Sequence, residues 1–183
     1  MERDINWFVD QSLLIKTPFI GRLAQRFLDK ARDNLVTMSI LFDLHDNVEA
    51  RKLLKIPEDY DSSEWVVVCG YYAMYMAALG ALAKVGYRSK NHAATVAALE
   101  TFFVKRQLLA PEHLRMLERA QLEREQIEHL RLAKERREIA QYSVTKETTR
   151  SIAQKIKADA YLFVEKIEEL VDTLRSRAQG AEF

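Results

Sequence analysis

The chain has one cysteine, three prolines and five glycines among 183 residues, and its net charge is only +1. A lone Cys69 excludes an intrachain disulfide. Its place inside an apolar run makes it a small buried hydrophobe rather than a reactive thiol. So few prolines and glycines leave few break points, so most of the chain must be helix. The near-neutral balance of Lys/Arg 28 against Asp/Glu 27 excludes a global field toward nucleic acid or anionic lipid. Binding of that kind would need a local patch. The first residues, MERDINWFVDQ, carry mixed charge and lack the apolar core of a signal peptide. A cytoplasmic protein is expected. The length suits one domain over 1–183, with 1–20 as an N-terminal extension and 178–183 as a frayed tail.

What the chain does have is one long uncharged stretch, Trp65 to Ala83. Its length is close to that of a membrane span. Its composition argues otherwise. Tyr71, Tyr72 and Tyr75 stand near the middle, where a span favours Leu, Ile and Val, and the rest is rich in Ala and Gly. Ala73, Ala77 and Ala81 recur every four residues, with Gly70 and Gly80 nearby, forming a ridge that lets another helix approach closely. A helix apolar all round is equally the centre of a bundle. The stretch from Val66 to Leu82 is therefore read as the buried central helix of a soluble all-α protein, with no membrane partner.

Amphipathic patterns surround it. Ala24, Phe27, Ala31, Leu35, Met38 and Phe42 step by three or four, predicting a helix from Gly21 into the 40s. An N-terminal piece carries Trp7, Phe8, Leu13 and Leu14. A loop from Pro57 to Ser63 offers Asp61, Ser62 and Ser63 as N-caps. Gly86 is placed to end the central helix as a C′ glycine and to open a polar turn from Gly86 to Asn91. Ser89 or Asn91 then caps a helix bearing Val96, Leu99, Phe102 and Phe103. Pro111 opens another, expected over about Glu112 to Gln141. That helix lacks one dominant stripe: Ile127 and Leu130 lie on one side, Leu132 and Ile139 nearly opposite. It could serve its own bundle and a second molecule, or stand exposed on i,i+4 ion pairs such as Arg131 with Glu135. Its seven Lys/Arg and seven Asp/Glu cancel, so it is not simply a basic nucleic-acid helix. Thr145 caps the last helix, with a stripe running from Ile152 through Ile156, Ala160, Phe163 and Ile167 to Leu174.

Catalytic motifs are scarce. The glycines are too scattered for a phosphate-cradling loop. His45, His92, His113 and His129 are too dispersed, with one Cys, for a zinc site. No metal or cofactor is expected. His45-Asp46 reads as a polar helix terminus, while His113 and His129, set among charges, read as solvated. Arg88, Lys90 and His92 form a small basic cluster at a helix start, where anions are favoured. The blander alternative is a cap with solvated neighbours. Near the end of the long helix stand Arg136 and Arg137, with Tyr142 beyond. Arg137 falls seven residues after Leu130, on the same apolar side, where a charge is either paired or gathered at an interface.

Four segments carry a resemblance: Tyr71-Tyr72-Ala73-Met74-Tyr75, Gly86-Tyr87-Arg88-Ser89-Lys90-Asn91-His92, Phe103-Val104-Lys105, and Arg137-Glu138-Ile139-Ala140-Gln141-Tyr142. Together they resemble the HEPN superfamily (higher eukaryotes and prokaryotes nucleotide-binding domain), in its small stand-alone prokaryotic branch. The resemblance covers about Arg22 to Leu174, with an apparent insertion near Arg115 to Gln126. It implies an antiparallel bundle of four to five helices that dimerises. It also implies association with RNA or nucleotide, and pairing with a minimal nucleotidyltransferase in a toxin–antitoxin-like couple. Many relatives are metal-independent RNases that use an arginine and a histidine separated by four to six residues. Arg137 matches that arginine, and Tyr142 stands where active relatives carry histidine. A phenol is a poor base at neutral pH, so the resemblance implies weak or absent RNase activity. Arg137 and Tyr142 are the implied catalytic pair, with Arg88, Lys90, His92 and Arg136 as contacts to RNA or nucleotide. A non-catalytic dimeric protein-interaction module is the alternative.

Overall fold

The computed structural model describes residues 5–135 and 145–180. Among them the elements run α1 (Ile5–Asp10), β1 (Leu14–Lys16), a 3-10 turn (Pro18–Leu23), α2 (Ala24–Leu44), α3 (Val48–Leu53) and α4 (Ser63–Lys84). Then follow β2 (Tyr87–Ser89), α5 (His92–Leu99), a wide turn of π-helix (Glu100–Val104), α6 (Pro111–Glu135) and α7 (Thr145–Gly180). Among the described residues the protein is all-α apart from one two-stranded antiparallel ribbon. In it Leu14 faces Ser89, Ile15 faces Arg88 and Lys16 faces Tyr87.

Helix α4 is the hub, with α2, α5, α6 and α7 packed around it. It is long and apolar enough to cross a membrane, and two thirds of its most apolar part (67%) is buried inside the protein. The small-residue ridge explains how. A Cβ on Gly70 would stand 2.6 Å from Ile156 Cγ2 on α7 and 3.1 Å from Met38 Sδ on α2. One on Gly80 would meet Leu28 and the Ala24 carbonyl at 3.2–3.3 Å. Hydrogen alone lets both neighbours lie close. Ala73, Ala77 and Ala81 are fully buried, whereas Tyr72 is turned outward. Cys69 is free and half-buried, and burial pushes its thiol pKa up, in keeping with a small hydrophobe.

The periodic stripes become packing faces. Ala24, Leu28, Ala31, Leu35 and Met38 of α2 are buried, as are Ile156, Ala160, Phe163, Ile167 and Leu170 of α7. Ion pairs edge the seam between these helices: Arg32–Glu168 at 2.6 Å and Lys157–Asp43 at 3.0 Å. Arg119 of α6 reaches Asp159 of α7 at 2.8 Å. The helix ends follow local chemistry. At the start of α4 it is Asp61 that accepts from the Ser63 N–H, at 2.9 Å, while the Ser62 hydroxyl donates to the Leu41 carbonyl of α2 at 2.7 Å. Asn91 caps α5 by accepting from the Ala94 N–H at 2.8 Å. Gly86 adopts φ +85°, a conformation costly for any side chain, and turns the chain from α4 into β2.

Two expectations are corrected. The segment after Gly86 is a strand, not only a turn, because the N-terminal piece returns to pair with it. His113 is half-buried rather than solvated: its ring lies 6.5 Å from that of Phe163, and its Nδ1 lies 3.2 Å from the Ala110 carbonyl. Helix α7 runs to Gly180.

Candidate functional site

Where α4, α5 and α6 meet, the chain gathers rings and charges into one polar cluster. From α4 come Tyr71 and Tyr75, one helical turn apart and stacked at 5.6 Å. Asn91 fixes the first turn of α5 and so sets His92 against them, its ring 5.9 Å from Tyr71 and 6.2 Å from Tyr75. From α6 comes Arg124, whose guanidinium lies over the Tyr71 ring at 5.0 Å, a cation–π contact. Its Nη1 donates to Glu128 at 3.0 Å, one turn on. Gln121 donates to Glu125 along the same face.

This cluster is incompletely satisfied. Among the described residues, His92 Nδ1, Gln121 Oε1 and Arg124 Nε are buried without a hydrogen-bond partner. Such orphaned groups cost free energy. Native structures retain few of them, and each calls for a reason. The electrostatics follow from burial. Burial lowers the His92 pKa, and Arg124 lowers it further while Glu125 opposes. The imidazole is therefore neutral at pH 7, one nitrogen a donor and the other an acceptor. Burial also raises the Tyr71 pKa beyond the usual phenol range, with Tyr75 adding to the shift and Arg124 opposing it. The phenol stays protonated and is able to donate.

The lowered His92 pKa sets a pH dependence. In the unfolded chain the imidazole takes its proton near pH 6.5; in the folded chain it does so only at lower pH. Stability from this residue is thus fully present above about pH 6.5, and is lost as pH falls from there through the folded value. Urea unfolding between pH 7 and 5 should show wild-type stability dropping more than that of His92→Gln. Equal slopes in the two proteins would contradict a neutral buried His92.

Arg88 and Lys90, also expected at a site, stand at the surface beside the start of α5. Both are exposed. Arg88, on β2, lines a cavity of about 200 Å³ together with Ile20, Phe27, Leu79, Tyr87 and Ser89. Alternation in the ribbon sends Ser89 inward instead, where its hydroxyl is bonded to that of Thr95 at 2.9 Å. Arg136, Arg137 and Tyr142 lie outside the described residues. Gln121, Arg124 and Glu125 escaped sequence reasoning because their partners come from α4 and α5. The available signal was their i, i+3, i+4 spacing, which puts all three on one face. Compared with known proteins, the chain matches no family model and no curated protein.

Proposed function

We propose that this chain is a HEPN-type helical protein associated with RNA or nucleotide, working as a cytoplasmic homodimer beside a minimal nucleotidyltransferase. The observation that carries the reading is the meeting of two of its resemblance segments. Tyr71 and Tyr75 from the first contact His92 from the second, although a helix end and a strand separate them. Arg124 joins them, and unpartnered polar atoms remain. Guanidinium, neutral imidazole and phenol are groups suited to phosphate and base contacts. In this reading Arg137 supplies phosphate-facing charge, and Tyr142 a hydrogen bond or a stacking ring. The dimer brings two copies of Arg137 to one cleft.

Purified protein incubated with structured RNA, with and without chelator, tests the chemistry. Cleavage is expected to be weak or absent, because Arg137 cannot exchange protons at neutral pH and Tyr142 stands in the histidine position. Any residual cleavage should vanish in Arg137→Ala, resist chelation and rise in Tyr142→His. Robust cleavage unaffected by Arg137→Ala would remove the role carried over to that arginine.

A second reading, a non-catalytic protein-interaction module, draws on exposed apolar side chains across α2 and α7. Val36, Ile40, Tyr161 and Leu162 are all exposed, and the Tyr161 hydroxyl lies 2.6 Å from that of Ser39. RNA intact and unbound at high protein concentration would favour it.

A further inference from the structure

We infer that the end of the molecule built from the ribbon, the 3-10 turn and the start of α2 is a binding face for single-stranded RNA, separate from the tyrosine–histidine cluster. The inference rests on the RNA reading above and names where the strand would run. Two cavities adjoin here and share Phe27. One is the Arg88 cavity; the other, of about 390 Å³, is lined by Leu23, Arg26, Phe27 and Lys30. These side chains are brought together by packing. The Thr17 N–H donates to the Gly86 carbonyl at 2.7 Å, and the start of α2 lies against the end of α4 through Gly80.

Charge at this end differs from charge at the helix seams. Between α2, α6 and α7 the cations Arg32, Arg119, Arg150 and Lys157 each hold a carboxylate. Among the described residues Arg22, Arg26, Lys30 and Arg88 hold none. Lys16 beside Tyr87 on the ribbon, and Lys84 at the end of α4, extend the same sign. The nearest carboxylates on α2 are Asp29, which accepts from Gln25 at 2.9 Å and lies 3.6 Å from Arg32, and Asp33, one turn beyond. A chain of net charge +1 thus concentrates unpaired positive charge locally.

Aromatic rings are interleaved with that charge. Phe19 is 73% exposed, with the Arg22 guanidinium 5.6 Å from its ring centroid. Phe27 and Tyr87 line the cavities. A cationic groove with ring platforms is the arrangement that holds single strands, the cations following phosphates and the rings stacking on bases. An acidic protein would use the charge but not the exposed Phe19 ring beside Arg22, whereas an unstacked base would use both. Duplex RNA keeps its bases stacked away from such a ring.

The test is fluorescence anisotropy of a labelled single-stranded oligouridylate with the full chain across a salt series. Duplex RNA and phosphatidylserine vesicles serve as competitors, and circular dichroism monitors folding. The triple variant Arg26→Glu/Lys30→Glu/Arg88→Glu should bind about 100-fold more weakly, with a salt slope lower by about 2, as expected for three lost phosphate contacts. Phe19→Ala should lose about tenfold on the single strand, leave the slope unchanged and not alter duplex binding. Single-strand binding that survives the triple variant would overturn the face while leaving the RNA reading standing, as would binding abolished by His92→Ala alone. Wild-type protein that binds vesicles but neither RNA nor free nucleotide would overturn both.

Discussion

Gly70→Val should lower the unfolding free energy by about 3 kcal/mol, at the upper end of overpacking costs. The added Cβ would stand 2.6 Å from Ile156 Cγ2, closer than packed carbons approach, and a β-branched side chain carries two further atoms into the same space. Met38 Sδ, at 3.1 Å, can give way; Ile156 is held in a fully buried stripe. Replacing glycine inside a helix ordinarily gains up to about 1 kcal/mol, so a net loss would be diagnostic of the crossing. Urea denaturation of wild type, Gly70→Ala, Ile156→Ala and the double variant isolates the contact. The double variant should cost less than the sum of its parts, since each change relieves the other. A neutral or stabilising Gly70→Val would mean that α4 and α7 do not cross closely at this position.

Phe163→Ala should cost about 3–5 kcal/mol. The ring is fully buried on α7 and is among the largest such side chains of the core. The His113 ring on α6 would also lose a neighbour 6.5 Å away. Thermal or urea unfolding measures the loss. A cost under about 1 kcal/mol would place the ring at the margin of the core.

The helices were legible because their signal is periodic and long. Ala24 to Met38 and Ile156 to Leu170 repeat over many turns, and Gly86, Asn91 and Pro111 punctuate the chain by local backbone chemistry alone. The ribbon was not legible. Each strand spans three residues, too short for alternation to register, and Leu14 pairs with Ser89 across most of the first half of the chain. His113 misled for a related reason: its sequence neighbours are charged, but its burial comes from Phe163 on another helix. Of the site, His92 was visible as a helix-opening residue. Its company was not, since Tyr71, Gln121 and Arg124 converge on it only through the packing of three helices. The same limit applies in reverse to Arg88, a near neighbour of His92 in sequence whose side chain lines a cavity with Ile20, Phe27 and Leu79.

The ribbon also orders events in time. Its first strand emerges early in synthesis, yet the residues that satisfy it, Tyr87 to Ser89, follow only after α4 is complete. Until then the amides of β1 and Thr17 have only water as partner, whereas α2 can form its own internal bonds at once. Closing so long a loop is entropically costly unless the helices between have already docked. The Thr17–Gly86 and Lys90–Leu13 hydrogen bonds, at 2.7 and 2.9 Å, therefore work as a latch that closes after the helical frame exists. In pulse-labelling experiments the Thr17 and Lys90 amides should gain protection after those of α2 and α4.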